Sequence, residues 1–280
     1  MRDAARIAAK VIIGTFIIGW SVAPLYWGIV VSLTTEGGLA VAHLSLLPHP
    51  LTLSNYTSLL NGAAGVSSTF LASLRNSAIE AVGTTGVSLA SAVLAAYGFA
   101  RWRFRGSSVL FLVILGTLAL PIYAVLIPLF QFASRLHQVD TYQVIILISA
   151  SSTLPLSIWI LRSHIASLPV DIENAARIDG APWRTILWKI VVPLIAPGMA
   201  AAALIAFLAT WGSFLIPLTF SATLRTEPLT VTIPNYASRY TQDYGLQAAA
   251  GIVALLPPVL LVCWLNRHLV RGLLAGSVNQ

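Results

Sequence analysis

Apolar stretches long enough to cross a lipid bilayer recur along this 280-residue chain, and they constrain its fold more than any other feature. A helix needs roughly 20 predominantly apolar residues to span about 30 Å of hydrocarbon. Such runs fall at about 11–33, 76–100, 107–130, 141–161, 196–220 and 245–266. Only 9% of the residues are charged and 57% are hydrophobic, so no aqueous domain separates these runs. The expected class is all-α: a polytopic membrane protein with six transmembrane helices.

The charges set an orientation. With the N-terminus inside, the inner face carries Arg2, Arg6, Lys10, Arg101, Arg103, Arg105, Arg162, Arg177, Arg184, Lys189, Arg267 and Arg271. The outer face keeps Arg75, Arg135, Arg225 and Arg239. That positive-inside bias predicts that both termini are cytosolic. The net charge of +7 resides at the ends of apolar segments rather than in basic blocks with interleaved aromatics, which argues against nucleic acid as a partner. Arg2, Arg6 and Lys10 ahead of an apolar run mimic a signal peptide, but the run continues to Leu33, so a retained anchor helix is expected.

Lipid gives helices no hydrophobic reason to associate, so close backbone approach must hold them together. Ser88, Ala92, Ala96 and Ala100 form one small-residue stripe, and Gly198, Ala202 and Ala206 form another. The single cysteine, Cys263, lies in an apolar run, where a packed thiol is the expected reading.

One segment breaks the apolar pattern. Residues 173–193, ENAARIDGAPWRTILWKIVVP, form a polar insert between the fourth and fifth runs. Pro169 suits a first helical turn, and Asp171 and Glu173 suit the positive end of the helix dipole. Glu173 and Arg177 stand four apart in the favourable order for an ion pair. Ile172, Ala175 and Ile178 share one face, and Gly180 fits a C-terminal cap. Pro182 can start a second helix, in which Trp183, Ile186, Leu187 and Ile190 follow a helical period. Two short helices hinged at a glycine fit either a helix-in-groove contact with a cytosolic partner or an interfacial pair lying on the bilayer.

The insert resembles the EAA loop of ABC importer permeases. Asn174-Ala175-Ala176, Gly180, Ile190, Val192 and Pro193 stand in that motif's register, with Asn174 at the usual Glu and Val192 at the usual Leu. Leu51-Thr52-Leu53-Ser54-Asn55-Tyr56, Asn76-Ser77, AAYGFARWRFRG (95–106), Val139-Asp140-Thr141 and RHLVRGLLAG (267–276) are similar to segments of the maltose-type, carbohydrate-transporting branch. The resemblance covers the chain from about residue 20 to its end.

It implies a type I ABC importer permease fold. Residues 1–75 would hold an N-terminal tail, the first helix and an outer loop. Residues 76–266 would form the core permease domain of five helices with a cytosolic coupling loop, 163–195, and 267–280 a cytosolic tail. The coupling loop would present Glu173, Asn174, Ala175, Ala176, Ile178, Asp179, Gly180, Trp183, Ile190 and Pro193 to an ATPase. Implied partners are a second permease subunit in a heterodimer, a cytosolic ATPase dimer and an extracytoplasmic solute-binding protein, with a sugar as substrate. No cofactor is expected in this chain, because ATP and Mg would be bound by the partner ATPase. The residues agree: only Lys10 and Lys189 are lysines, and neither sits in a phosphate-binding loop.

Candidate contacts along the substrate path are Ser149, Ser152 and Thr153 in the fourth run, with Ser151 and Ser157 nearby. Trp211, Gly212 and Ser213 serve in the fifth, after Thr210. Sugars favour hydroxyl partners beside an aromatic face, although helix hydroxyls also bond back to their own backbone. The branch commonly carries Trp-Asn where this chain reads Trp211-Gly212. Glu80 is the one acid within a span; its expected place near the outer end suits snorkelling or pairing with Arg75, with a proton or cation site as the alternative. His43 and His49 lack further ligands at metal-binding spacing, so no metal site is expected.

Two other functions compete. The same machine could carry a polyol, glycerol phosphate or peptide. An ion-coupled secondary transporter would call for inverted repeats and a midplane acid, and the sequence shows neither.

Overall fold

The computed structural model describes residues 2–40, 46–61, 65–236 and 243–276. His43 and Arg239 lie outside the described residues, as do the side chains of Arg2, Arg267 and Arg271. Among the described residues the secondary structure is helical, apart from an isolated bridge between Thr34 and Leu51. In chain order the helices are α1 (Arg2–Ser32), α2 (Glu36–Ala40), α3 (Ser54–Asn61), α4 (Val66–Arg101), α5 (Ser107–Gly116), α6 (Ile122–Arg135) and α7 (Tyr142–Ser167). There follow α8 (Val170–Ile178), α9 (Trp183–Thr185), a π-helical turn (Ile186–Val191), α10 (Val192–Leu194), α11 (Ala196–Trp211), α12 (Leu215–Phe220), α13 (Leu229–Asn235) and α14 (Tyr244–Gly276).

Among the described residues, four helices are long and apolar enough to cross a membrane: Lys10–Ser32 within α1, α4, α7 and Tyr244–Leu265 within α14. The count reaches six when two bent pairs are each taken as one span. Ser107–Ala119 and Ile122–Arg135 meet at 97°, and Trp183–Leu194 and Ala196–Trp211 meet at 77°. The third expected span is therefore not a single rod. Pro121 supplies no N–H to the preceding turn, and Leu120 before it is extended, so the chain turns there.

The fifth expected span, 196–220, is also interrupted. The helix stops at Trp211 and resumes at Leu215. Pro217 cannot donate to the Ser213 carbonyl four residues earlier, and its ring would crowd that oxygen in a continuous helix. The Thr230 hydroxyl donates to the Ser213 carbonyl instead, at 2.7 Å. Pro155, by contrast, sits inside α7 without ending it.

The chain divides into two compact units, Met1–Leu74 with Val231–Leu256 and Arg75–Thr230 with Pro257–Gln280. In the first, Asn55 Nδ2 donates to the carbonyls of Ser32 (2.9 Å) and Thr34 (3.3 Å), which closes the end of α1. Ser32 and Tyr56 share a hydroxyl contact of 2.7 Å, and Ser73 and Thr232 another of 2.6 Å. The LTLSNY segment thus works as a clasp at the end of α1. The body of α1 leaves Ile12, Phe16 and Trp20 exposed, as suits a helix surrounded by lipid.

The second unit holds the larger core. Ala92, Val93, Ala96 and Tyr97 of α4 pack with Ile158, Leu161 and Ile165 of α7 and with Ala202 of α11. Both small-residue stripes pack inward: Ser88, Ala92, Ala96, Gly198, Ala202 and Ala206 are buried, and Ala100 at the end of the first stripe is half-buried. The approach is closest at Gly198, where an added Cβ would lie 2.6 Å from the His164 ring. Cys263 corrects the expectation of a packed thiol: it is exposed, because this part of α14 presents apolar residues such as Leu260 and Trp264 outward.

A second knot in this unit involves the α6–α7 turn. Asp140 accepts hydrogen bonds from the Thr223 and Thr226 hydroxyls (both 2.6 Å) and from the N–H groups of Ala222 (3.1 Å) and Thr223 (3.2 Å). Burial pushes the Asp140 carboxyl up, but these donors outweigh it and hold the group below the usual carboxylate value. A depressed folded-state value means stabilisation that is present above the unfolded pKa and lost as pH falls through the folded one. Asp140→Ala should cost about 1.5–3 kcal/mol near neutral pH. That difference should shrink on acidification, and amide hydrogen exchange over residues 221–226 measured across pH will read both effects.

Candidate functional site

The polar insert is built on a glycine. Gly180 has φ +80°, a left-handed conformation that side-chain-bearing residues rarely adopt. Around it the Gly180 N–H reaches the Arg177 carbonyl (3.0 Å) and the Ala181 N–H reaches the Ala176 carbonyl (2.9 Å). This is a Schellman closure of α8, and it satisfies carbonyls that the helix end would otherwise leave open. Nothing lies within 4 Å of a Cβ added at Gly180, so the glycine is required by backbone conformation rather than by crowding.

Under α8 lies a buried ion pair. Glu173 is only 2% exposed, and its Oε1 accepts from Arg101 Nε at 2.6 Å. Its Oε2 accepts from the Tyr97 hydroxyl at 2.9 Å. Arg101 also donates from Nη2 to the Leu168 carbonyl at the end of α7, at 3.1 Å. One side chain therefore joins α4, α7 and α8. The i,i+4 contact expected from sequence exists, with Arg177 Nη2 at 3.8 Å from Glu173, but Arg177 is half exposed and secondary. At the position of the usual Glu, Asn174 is exposed and its Oδ1 accepts from Arg177 Nη1 at 3.2 Å.

Sequence reasoning missed Arg101 and Tyr97. Arg101 counts in the sequence only among the charges at the inner ends of spans; the one available signal is the segment AAYGFARWRFRG (95–106), which contains both residues.

The two faces of the insert differ. Ile178 is 87% exposed, and Ile172, Ala175, Asp179, Gly180, Trp183 and Pro193 are exposed with it. Ala176 is half-buried against the core. In the second segment the expected helical stripe is re-cut. Ile186, Leu187 and Val191 are buried in the chain's own core, whereas Ile190 is only half-buried. The π-helical turn accounts for this, because its wider winding replaces the i+4 partner by i+5. The apolar face of that segment is thus used internally, and α8 carries the free one.

The hydroxyls of the substrate-path candidates bond to their own helix. Ser151 donates to the Ile148 carbonyl and Ser152 to that of Ser149, each at 2.7 Å. Thr153 is 3.3 Å from the Ser149 and Ala150 carbonyls, and Ser157 donates to Thr153 at 3.0 Å. What these groups keep for a ligand is acceptor capacity. Ser149 is buried, while Ser152 is exposed. In α11, Trp211 stacks on Phe207 with ring centroids 5.4 Å apart. Gly212 and Ser213 then form the unwound break before α12. Ile148 and Ile216 share one buried cluster, which brings the hydroxyl-bearing turn of α7 and the α11–α12 break into the same region of the unit.

Glu80 departs from expectation. Helix α4 begins at Val66, not near 76, so Glu80 lies about 21 Å along it. It is 3% exposed, its Oε1 has no hydrogen-bond partner, and the same holds for Thr84 Oγ1 one turn further. Neither snorkelling nor pairing with Arg75 occurs; among the described residues both ion pairs involve Glu173.

Comparison with known proteins gives this arrangement its class. Residues 86–274 match the family described as binding-protein-dependent transport system inner membrane component. The chain belongs to that family, whose members are permease subunits of ABC importers. It is 34% identical over 238 residues to the osmoprotective compounds uptake permease protein GgtD of Synechocystis, which spans 83% of this chain and 78% of that one. Over 278 residues it is 30% identical to the trehalose transport system permease protein SugB of Mycobacterium tuberculosis, 99% of each chain. The trehalose/maltose transport system permease protein MalG of Thermococcus litoralis is 32% identical over 91% of each chain. Among solved structures, a chain of a bacterial ABC transporter involved in the import of the acidic polysaccharide alginate superposes with a TM-score of 0.82. That match covers 95% of this chain and 96% of the other at 22% identity, a likeness of fold.

Removing the cation under α8 would leave Glu173 as an uncompensated buried charge. Arg101→Ala should destabilise the protein by about 3–5 kcal/mol. Arg177→Ala, at a half-exposed and longer contact, should cost at most about 1 kcal/mol. Thermal unfolding of the two variants in detergent compares them directly; equal losses would contradict the assignment of Arg101 as the principal partner.

Proposed function

We propose that this chain moves a carbohydrate across the cytoplasmic membrane by alternating access, driven by ATP hydrolysed in a separate subunit. The observation that carries the reading is the insert. An exposed apolar face of α8, centred on Ile178 and Ile172, is fixed by a glycine closure above and a buried ion pair below. A preorganised apolar helix face of this kind suits a groove on another protein.

In this reading the cytosolic ATPase dimer receives α8 and its flanks: Asn174, Ala175, Ile178, Asp179, Gly180 and Trp183 make contact. Glu173, Ala176 and Ile190 hold the docking helix in place, and Pro193 closes the insert before α11. ATP and Mg belong to the ATPase. The positive-inside bias supports a cytosolic insert and cytosolic termini. A second permease subunit completes the pathway as a heterodimer, and an extracytoplasmic solute-binding protein delivers the solute.

The relatives' names support a hydroxyl-rich glycoside as cargo: two name trehalose, and a further one names sulfoquinovosyl glycerol. Ser152 and Thr153 would line the path with acceptor oxygens, Ser149 being buried behind them, and Trp211 beside the Gly212–Ser213 break would offer an aromatic face. A sugar ring matches both features, with hydroxyl donors on its rim and C–H groups on its face.

Docking is tested by two substitutions that leave the core of the second unit alone. Ile178→Asp places a charge on the apolar face, and Gly180→Val forces a β-branched residue into a left-handed conformation at a cost of at least about 1–2 kcal/mol. Each should reduce recovery of the ATPase with the purified permease and abolish solute uptake. Full recovery with both variants would remove α8 as the docking helix.

A further inference from the structure

Four polar side chains of α4 share one buried face. Ser77, Glu80, Thr84 and Ser88 lie within about 80° of one another round the helix, and each is at most 4% exposed. The two at the ends of this row have protein partners. The Leu229 N–H donates to the Ser77 hydroxyl at 2.9 Å, and the Ser88 hydroxyl meets that of Ser157 in α7 at 3.3 Å. The two in the middle differ: Glu80 Oε1 and Thr84 Oγ1 are buried without a hydrogen-bond partner. A helix hydroxyl usually bonds back to its own backbone, and the next residue does so, Thr85 donating to the Ala81 carbonyl at 2.7 Å. Thr84 does not. Residues four apart on a helix are neighbours, with about 5–6 Å between their Cβ atoms, so both oxygens can reach one small ligand.

Charge narrows what that ligand is. A carboxylate in an apolar interior needs a counter-charge, and the chain supplies none at this depth. Arg75 is exposed and lies about 140° round α4 from Glu80. Helix α7 runs alongside, with Ile146 against Gly83 and Ser157 against Ser88, and residues 143–160 include no Asp, Glu, Lys, Arg or His. The same is true of residues 206–222, 229–235 and 245–262. Glu80 is buried within this one chain, which keeps it from a basic side chain of another subunit and from a molecule of solute size. A divalent ion would retain a net charge beside a single carboxylate, and among the described residues no group of three or more His, Cys, Asp or Glu could hold a metal. What fits is one positive charge of minimal size.

We infer that Glu80 and Thr84 form a binding site for one monovalent cation, a proton or a sodium ion, inside the span of α4. With the cation in place the acid is neutralised and the polar row is satisfied from Ser77 to Ser88. The site does not depend on the docking of α8, since Arg101 lies about 32 Å further along the helix.

The test compares the parent with Glu80→Gln, which keeps the size of the side chain and removes its charge. The importer, assembled with its other subunits in detergent, is unfolded thermally across pH in choline chloride. The series is repeated at fixed alkaline pH with sodium replacing choline at constant ionic strength. The readout is the difference in unfolding temperature between parent and variant, which cancels effects of pH and salt on the other subunits. If sodium is the ligand, the parent should gain roughly 2–4 °C on the variant for each tenfold of sodium beyond half-saturation. If a proton is the ligand, the same gain should accompany each unit of acidification. A proton held throughout the range gives a constant difference, together with an infrared carbonyl band of a protonated acid that Glu80→Gln lacks. A constant difference without that band overturns the site. Should Glu80→Gln fail to assemble, Thr84→Val takes its place. With one oxygen removed, half-saturation should require about tenfold more of the cation, or the band of a permanently held proton should shift. An unchanged requirement and an unshifted band overturn the site.

Discussion

A carboxylate buried beneath a polar insert is a liability unless a cation is buried with it, and the architecture around α8 follows from how that requirement is met. Glu173 lies in the first turn of α8, where the helix dipole favours an acid, yet the apolar core beneath gives it no water. Arg101 answers it from the last residue of α4. Because the guanidinium is a planar fork, it can hold Glu173 with Nε and the Leu168 carbonyl with Nη2 at once. A lysine offers one point of charge and could not tie three helices in that geometry. Such a pair adds little net stability compared with a well-packed apolar contact, but breaking it is costly. Its effect here is specificity of placement, since α8 has one low-energy seat.

That seat decides what α8 shows to the outside. Glu173 is turned inward and Asn174 replaces the acid usual at the next position, so the middle of the exposed face carries no carboxylate. Asp171 and Asp179 flank it at either end, with Ile172 and Ile178 between and Arg177 half exposed beside them. A groove that accepts this face is expected to be apolar at its centre, with polar groups at the rim.

Much of this was legible in the sequence, because the relevant signals are local. Apolar run length predicts spans, small-residue spacing predicts close packing, and a glycine after an amphipathic turn predicts a left-handed cap; Ala92, Ala202 and Gly180 behave accordingly. What could not be read depends on distant partners. Nothing near residue 173 indicates that its cation lies 72 residues earlier. The π-helical turn was equally hidden. Ile190 satisfies a regular helical period, and only packing against α4 and α7 selects Val191 in its place. Glu80 departs from its expected depth because Ser67, Ser68, Thr69, Ser73 and Arg75 mask the true start of α4, whose Ser73 is satisfied by Thr232 rather than by water.

The prolines acquire a common meaning once the partners of the freed carbonyls are known. Where the chain must bend, proline removes an N–H and another group takes its place, as the Thr230 hydroxyl does for Ser213. Where no proline occurs, as in α4, every interior carbonyl can keep its helical partner and the rod resists bending. The hydroxyls of α7 occupy a middle ground. By donating to carbonyls three or four residues back, Ser151, Ser152, Thr153 and Ser157 satisfy themselves around Pro155 without a ligand. A polar stripe built in this way needs no further partner to be satisfied, yet keeps lone pairs that can accept hydrogen bonds. A transport path benefits from that balance, since a site that bound its cargo tightly would hold it rather than release it.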